Sequence, residues 1–176
     1  MAGVAEVPII ETARLRLRGH RASDLDAAAA KWADPVVTRF TGGRPFTREE
    51  SWARLLRYTG HWDWLGYGFW AVEDRDDDVY LGELGFAEFE RAITPPIEVP
   101  EMGWSFVAAA HGRGLASEGV RAALAWGDGH GFAKTACIID PENVASIRVA
   151  RRCGFAEAGA VRYKGSVTMK YERVAG

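Results

Sequence analysis

One six-residue segment, His111-Gly112-Arg113-Gly114-Leu115-Ala116, constrains the fold more than any other part of the chain. It follows an apolar run from Glu101 to Val107 whose composition is typical of a half-buried strand. It precedes a stretch in which small and apolar residues recur at spacings of three and four, the pattern of one helix face. The sequence therefore predicts a strand, a glycine-containing loop and a helix in succession.

A glycine loop at a helix start suits a phosphate group. The first backbone N–H groups of a helix have no partner within it, and the helix dipole places roughly half a positive charge there, so an anion such as pyrophosphate would satisfy both. A glycine pair before a helix is nevertheless common and does not by itself establish such a site. The segment lacks the Gly-Lys-Ser/Thr of a P-loop, and Ser117 replaces the third glycine of the dinucleotide fingerprint.

Length and composition predict one domain, spanning residues 1–176, with a core that needs neither disulfides nor a metal. The formal net charge of −2 shows no basic excess, which argues against a nucleic-acid partner. No window offers the roughly 18 apolar residues of a membrane span, and no basic signal-peptide region is apparent, so we expect a cytoplasmic protein without a membrane partner. Cys137 and Cys153 are expected to be buried, reduced and structural.

The first third of the chain predicts one strand and two helices. Residues 12–18 alternate charged and apolar side chains, so we expect a strand with leucines inward and arginines outward. Ser23 is predicted to be the N-cap of a helix that ends near Asp34. A capping box beginning at Thr47 predicts a second helix, which we expect to end around Gly60.

The remaining sequence predicts six further strands and two further helices. The strands are expected at residues 66–72, 79–86, 101–107, 133–139, 156–163 and 166–171. One helix follows the glycine loop, and the other opens at Asp140-Pro141-Glu142-Asn143 and closes at Cys153-Gly154-Phe155, where the glycine would supply a left-handed end. Residues 93–100, with three prolines, are predicted to be a loop. These elements give a mixed α+β fold with about seven strands and about four helices.

The order of these elements resembles the GNAT superfamily of acyl-CoA-dependent N-acetyltransferases. Residues 14–18 are similar to its first strand, and residues 111–116 to its [Q/R]-x-x-G-x-[G/A] pyrophosphate loop. Asn143-Val144-Ala145-Ser146, followed by Gly154-Phe155, is similar to the N-x-x-S…G-F stretch of the RimJ/RimL-like branch, the ribosomal-protein N-terminal acetyltransferases. The resemblance covers residues 12–171 and implies a central twisted, mostly antiparallel sheet with helices on its faces.

The resemblance implies transfer of an acetyl group from acetyl-CoA to a primary amine, either a peptide N-terminus or a small-molecule amine, by direct attack in a ternary complex. The residues that it implies for coenzyme A are Phe106, Val107, His111, Gly112, Arg113, Gly114, Leu115, Ala116, Asn143 and Ser146. A main-chain N–H of Phe106 or Val107 would polarise the thioester carbonyl. Two positions depart from the family pattern: His111 replaces Gln or Arg, and Ala150 replaces the tyrosine that protonates the leaving thiolate.

Three residues are candidates for proton transfer. Glu101 is the first candidate for a general base, because the resemblance places acids on its strand near the acceptor, and Glu83 on the neighbouring strand is the second. A water-exposed structural glutamate is the alternative at both positions. Ser146 would hydrogen-bond the sulfur in place of the missing tyrosine, and Asn143 would contact the pantetheine arm. The alternatives are a serine on the helix surface and an asparagine N-cap.

The aromatic residues Trp62, Trp64 and Trp70 would form a wall of the acceptor pocket if they are exposed, although core packing is the commoner role of such rings. The aspartates from 74 to 78 are predicted to form a solvated turn, and no metal constellation is apparent. A non-catalytic acyl-CoA-binding module of the same fold is the alternative to an enzyme, and a different phosphate-ligand protein is a third hypothesis. A homodimer is possible, but no sequence pattern supports one.

Overall fold

The computed structural model describes residues 6–176. The strands in this range are β1 (Ile10–Glu11), β2 (Leu15–Arg18), β3 (Phe69–Asp74), β4 (Tyr80–Ala87), β5 (Ile93–Thr94), β6 (Glu101–Phe106), β7 (Lys134–Ile139), β8 (Ala156–Tyr163) and β9 (Ser166–Val174). The helices are α1 (Leu25–Ala33), α2 (Pro35–Thr38), α3 (Arg48–Leu65), α4 (Leu115–Gly129) and α5 (Val144–Arg152). The predicted mixed fold is confirmed. The elements that the sequence did not reveal are the two-residue strands β1 and β5 and the single turn α2.

All nine strands join one sheet, in the order β1-β2-β3-β4-β6-β7-β9-β8-β5. Neighbouring strands are antiparallel except β6 and β7, which run parallel. Helices cover both faces. Glu83 and Leu84 are consecutive in β4 and therefore point to opposite faces. Lys31 of α1 and Tyr58 of α3 contact Glu83, whereas Leu84 packs beside Gly119 of α4.

The first long strand, β2, confirms the predicted leucines and corrects one arginine. Leu15 and Leu17 are fully buried under α4. Arg18 was expected to point outward, but it is buried, because its guanidinium donates to Asp24 (Nη2 to Oδ1, 2.9 Å) and to Glu73 (Nε to Oε2, 2.6 Å). Two carboxylates from neighbouring elements thus offset the cost of burying the positive charge of this guanidinium.

Two predicted helix boundaries are wrong. Ser23 lies exposed within a 3₁₀ turn (Ala22–Asp24) that precedes α1, and the Asp24 carboxylate accepts the Arg21 N–H at 2.7 Å instead. The capping box at Thr47 is confirmed, but α3 continues past Gly60 to Leu65. An interior glycine costs a helix about 1 kcal/mol, and burial of Trp62 in the last turns offsets this.

The C-terminal third follows the sequence closely. Asn143 caps α5, and Gly154, at φ +88°, ends it with the Phe155 N–H bonded to the Ala150 carbonyl at 3.0 Å. Strands β8 and β9 are joined at Lys164-Gly165, both with positive φ. The predicted proline-rich loop is interrupted by β5, which pairs Ile93 with Tyr163 of β8.

Candidate active site

A gap separates the two parallel strands, β6 and β7, towards their C-terminal ends. Within residues 6–176 their ladder consists of one pair, between Glu101, the first residue of β6, and Ala136, the third residue of β7. Helix α4 follows β6 and helix α5 follows β7, so two helix N-termini flank the open end of the gap. The positive ends of both helix dipoles therefore lie beside one cleft, at the strand ends where open α/β sheets bind ligands.

The backbone of β6 directs hydrogen-bond donors into this gap. Val107 donates its N–H to the Leu81 carbonyl at 2.8 Å, which makes Gly82 and Phe106 a non-hydrogen-bonded pair of the β4–β6 ladder. The N–H and C=O of Phe106, and by the same alternation those of Trp104, therefore point towards β7. The predicted donor role of Val107 is wrong because its N–H is already bonded. Trp104 was missed, because the register of β6 against β4, which sets the direction of each N–H, is not encoded in the sequence spacing.

The glycine loop leaves an uncapped helix start. Gly112 and Gly114 have φ of +75° and +77°, and Gly114 occupies the N-cap position of α4. No side chain of the described residues caps this helix, whose first intrahelical bond runs from the Glu118 N–H to the Gly114 carbonyl at 3.1 Å. A Cβ at Gly112 would meet nothing within 4 Å, and one at Gly114 only Arg14, at 3.7 Å. The free amides of Leu115 to Ser117 thus adjoin open space that an anion can occupy.

Arg14 pairs with Glu118, a carboxylate that would otherwise repel such an anion. Glu118 lies in the first turn of α4, and its Oε2 is 2.6 Å from Arg14 Nη2. Partial burial favours the neutral acid, but hydrogen bonds from Thr12 and Arg14 lower the pKa of Glu118. Arg14 also donates to the Arg113 carbonyl at 3.0 Å. It therefore ties the first long strand to the loop, a role that the sequence did not reveal.

His111 turns back onto β6. Its Nε2 lies 3.1 Å from the carbonyl oxygen of Phe106, although the residue is exposed overall. At the position where the family pattern has Gln or Arg, this imidazole thus contacts the backbone group that faces the gap.

Asn143 and Ser146 lie together at the start of α5. The Asn143 Oδ1 accepts the Ser146 N–H at 3.1 Å, so the N-cap alternative is confirmed for Asn143. The bond uses neither the Ser146 hydroxyl nor the Asn143 amide nitrogen, which leaves both to other contacts. Ala150, at the position of the family tyrosine, is fully buried in the main core.

Glu101 is held by an arginine at the closed end of the gap. It is 7% exposed, so the water-exposed alternative is wrong. Arg91 donates to both carboxylate oxygens, Nε to Oε2 and Nη2 to Oε1, each at 2.9 Å. Glu101 also lines a cavity of about 310 Å³ between the end of β4 and residues 88–100. The carboxylate is thus oriented and lies beside space for a ligand.

Glu83 has a different environment, because its side chain is fully buried and surrounded by donors. They are Lys31 Nζ at 3.1 Å, the hydroxyls of Tyr58 and Tyr80 at 2.7 and 2.9 Å, and Trp32 Nε1 at 3.2 Å. Burial alone would raise the pKa of Glu83, but the Lys31 charge and the hydrogen bonds lower it to about 2. The water-exposed alternative is wrong here too, and a carboxylate so acidic and enclosed makes a poor proton acceptor.

The same cluster contains a histidine without polar partners. Within residues 6–176 neither ring nitrogen of His20 has a hydrogen bond, and both are buried. Its ring stacks on Tyr58 with centroids 5.3 Å apart. Burial lowers the pKa of His20 to about 4, so the side chain is neutral at pH 7.

The three tryptophans do not form one wall. Trp62 and Trp70 are buried, pack edge to face at 4.7 Å, and donate to the carbonyls of Phe69 and Pro8. The predicted acceptor contact is therefore wrong for these two, because their rings belong to the core. Trp64, on the last turn of α3, is 87% exposed, and its contact with an acceptor stays a prediction.

Three further findings concern the cysteines, metal ligands and membrane spans of the described residues. Cys137 and Cys153 are buried and form no disulfide. In the described part of the chain, no group of three or more His, Cys, Asp or Glu side chains could hold a metal ion. None of the helices within residues 6–176 is long and apolar enough to cross a bilayer.

Comparison with known proteins places this geometry in a family. Protein YkkB of Bacillus subtilis is 32% identical over 147 residues, which are 80% of this chain and 80% of YkkB. A GnaT-family acetyltransferase from Bordetella pertussis superposes with a TM-score of 0.83 at 30% identity, over 95% of this chain and 99% of that one. RimL, a ribosomal L7/L12 α-N-protein acetyltransferase solved with coenzyme A, superposes at 0.76 with 18% identity, over 95% and 98%.

The likeness to RimL is one of fold, and it supports the predicted RimJ/RimL-like resemblance at that level. Residues 14–156 match the family described as the acetyltransferase (GNAT) domain. That range includes β2, the glycine loop, the gap between β6 and β7, and the start of α5. The chain therefore belongs to the GNAT acetyltransferase domain family.

Proposed function

We propose that this protein is an N-acetyltransferase that transfers the acetyl group of acetyl-CoA to a primary amine by direct attack in a ternary complex. The observation that carries the proposal is that unpaired backbone donors of β6 and the uncapped start of α4 adjoin the same gap. Family membership agrees with it. We further propose that residues 1–176 act as one acetyltransferase domain in the cytoplasm.

Coenzyme A would lie along the gap between β6 and β7. The amides of residues 112–117 would bind the pyrophosphate, which suits the open space beside Gly114 and the helix dipole of α4. The pantetheine arm would follow β6, where Trp104 offers its N–H and C=O and Phe106 its N–H, with Asn143 on the opposite side. An N–H of β6 would also stabilise negative charge on the thioester oxygen as the amine attacks.

Two side chains would handle protons. Glu101 would accept the proton of the attacking amine, since Arg91 orients its carboxylate beside a cavity. The need is greatest for a strongly basic amine: an amine of pKa near 10.4 is neutral in about one molecule in a few thousand at pH 7. Ser146 would hydrogen-bond the departing sulfur, because Ala150 cannot donate a proton.

A non-catalytic acyl-CoA-binding module of the same fold is the second candidate. Two observations favour it: Ala150 replaces the proton-donating tyrosine of the family pattern, and Arg91 already occupies both oxygens of Glu101. Such a module would bind acetyl-CoA and acetylate no amine.

Calorimetric titration with acetyl-CoA, with ATP and NAD as controls, tests the cofactor. We expect acetyl-CoA to bind, and Gly114→Val to weaken binding at least 100-fold because a side chain would fill the phosphate site. Gly165→Val is the matched control, since Gly165 has a similar φ, +79° against +77°, in the β8–β9 turn. Equal losses in the two variants, or tighter binding of ATP or NAD, would contradict the proposed cofactor.

Turnover then separates the enzyme from the binding module. A coupled thiol assay against a panel of primary amines should detect acetyl transfer by the unmodified protein. Tight acetyl-CoA binding without transfer to any amine would favour the binding module.

A further inference from the structure

Arg14 contacts three elements around the glycine loop. It immediately precedes β2, and its guanidinium reaches both the loop and the first turn of α4. Its Nη1 donates to the Arg113 carbonyl at 3.0 Å, and its Nε donates to Glu118 Oε2 at 2.8 Å. One side chain therefore joins the start of a strand, the loop and the start of a helix.

The Glu118 carboxylate is held by the same short segment before β2. Its Oε1 accepts the Thr12 hydroxyl at 2.7 Å and the Arg14 backbone N–H at 2.9 Å, while its Oε2 accepts from the Arg14 guanidinium. The Glu118 N–H in turn makes the first intrahelical bond of α4, to the Gly114 carbonyl. The residue at which the hydrogen bonding of α4 begins is thus fixed to the start of β2.

The carbonyl that Arg14 binds belongs to the peptide between Arg113 and Gly114. This peptide is trans, so the Arg113 C=O and the Gly114 N–H point in opposite directions. The hydrogen bond favours this orientation, because a flipped peptide would lose it. Arg14 Nη2 also lies 3.7 Å from where a Cβ of residue 114 would be. The guanidinium thus fixes the loop backbone at the edge of the proposed phosphate site.

A comparable ion pair lies at the other end of α4. Arg173 of β9 donates to both oxygens of Asp128, Nη1 to Oδ1 and Nη2 to Oδ2, each at 2.7 Å. Both pairs attach α4 to a strand, but Asp128 lies in the last turn of the helix, away from the glycine loop. Partly exposed ion pairs contribute little to folding stability, so we expect the effect of Arg14 in the loop that it contacts.

We infer that Arg14 and Glu118 are positioning residues for coenzyme A: they hold the glycine loop and the first turn of α4 in the pyrophosphate-binding arrangement when no coenzyme is bound. The inference deepens the proposed function, and its binding part rests on that function. A loop that is already ordered loses less backbone entropy on binding, so these two residues would raise coenzyme affinity and leave the chemical step unchanged.

Substitution of Arg14 tests this role. Arg14→Met should weaken acetyl-CoA binding about tenfold in calorimetry and raise KM for acetyl-CoA, without changing kcat at saturation. Arg14→Lys keeps the charge but not the planar fork, so it should restore little of the affinity, at low or high salt. Arg173→Met is the matched control and should bind normally. Full recovery in Arg14→Lys, or equal losses in the two methionine variants, would overturn the inference.

The sign of the effect in Glu118→Gln separates positioning from simple charge. Removing a negative charge near a phosphate should tighten binding if electrostatic attraction alone matters. Positioning predicts weaker binding instead: both Glu118 oxygens accept from donors, so the amide nitrogen of glutamine would face a donor on either side. Tighter acetyl-CoA binding by Glu118→Gln would therefore overturn the inference.

Hydrogen exchange without coenzyme distinguishes failure of this inference from failure of the proposed function. The Glu118 amide reports on the start of α4, and we expect it to exchange about fivefold faster in Arg14→Met but normally in Arg173→Met. This result in a protein that does not bind acetyl-CoA would support the positioning role and contradict the proposed cofactor. Unchanged exchange in Arg14→Met would overturn the positioning role, whatever the protein binds.

Discussion

Helices α1 and α3 cover one face of the sheet, and on that face the buried charges of β2, β3 and β4 all have partners. Glu83 receives four donors, and Arg18 joins Asp24 and Glu73. The gap between β6 and β7 differs, since backbone N–H groups of Trp104 and Phe106 and of the α4 start lack protein partners in the described residues. The four donors occupy the Glu83 carboxylate, whereas the gap keeps backbone N–H groups free for a ligand.

The surroundings of Glu83 and Glu101 show how a candidate active site can be told from a structural cluster. Glu83 and Glu101 are both glutamates at or near buried strands of the same sheet, and from residue type alone they are equal candidates for a base. Glu83 lies within a saturated network, while Glu101 adjoins both a cavity and the gap. Unsatisfied hydrogen-bonding capacity next to open space, and not the presence of charge, separates the two environments.

We expect the largest loss of stability from breaking the buried ion pair between Lys31 and Glu83. This substitution tests whether the cluster under α1 and α3 has a structural role. Lys31→Met leaves the Glu83 charge buried without its cation, so we expect a loss of about 3–5 kcal/mol in unfolding free energy by urea denaturation. Adding Glu83→Gln should recover most of it. The matched control is Lys134→Met, which breaks an exposed pair of the same 3.1 Å length and should cost less than about 1 kcal/mol. Equal losses from the two lysine variants would contradict the assignment.

His20 makes the stability of the same face depend on pH. Its pKa is about 4 in the folded protein, against the ordinary histidine value of 6.5, so the unfolded chain binds more protons between these values. Unfolding free energy should therefore fall as pH decreases from 6.5 to 4, by about 3 kcal/mol from this residue. His20→Phe, which keeps a ring on Tyr58, should remove that part of the pH dependence in urea titrations. His130→Gln, an exposed control, should leave it unchanged.

Substitution of Glu101 should reduce catalysis, whereas substitution of Glu83 should reduce stability. Glu101→Gln is expected to lower kcat about 100-fold without changing acetyl-CoA affinity, because it removes the proton acceptor. Glu83→Gln should instead lower the thermal midpoint and change kcat of the folded protein by less than about tenfold. Steady-state kinetics and calorimetry on both variants would decide the matter, and the reverse pattern would make Glu83 the base.

We expect the smallest effect, a modest fall in kcat, from substituting Ser146, which lies beside the gap. Its backbone N–H, and not its hydroxyl, bonds to the Asn143 cap, so Ser146→Ala should keep α5 intact. Loss of one hydrogen bond to the sulfur predicts a kcat about tenfold lower with unchanged acetyl-CoA affinity. Ser166→Ala, in the β8–β9 hairpin, is the control and should have no effect on kcat. An unchanged kcat in Ser146→Ala would leave proton delivery to another group.

Local signals predicted much of this protein. The capping box at Thr47, the Asn143 cap and the Gly154 end of α5 are decided by neighbours a few residues apart, and all three are present. The α3 boundary was wrong because burial of Trp62, a contact between distant elements, outweighed the local signal of Gly60. Arg18 was misplaced for the same reason, since its partners lie in other elements.

The sequence by itself determined the order of the long strands and helices, the left-handed Gly154 at the end of α5 and the family resemblance, because these depend on side-chain periodicity and local backbone preferences. Only the tertiary structure decided which glutamate faces a cavity, which amides of β6 stay unpaired and which tryptophans are buried. Those properties depend on strand register and on charges brought together from distant positions, which sequence spacing does not encode.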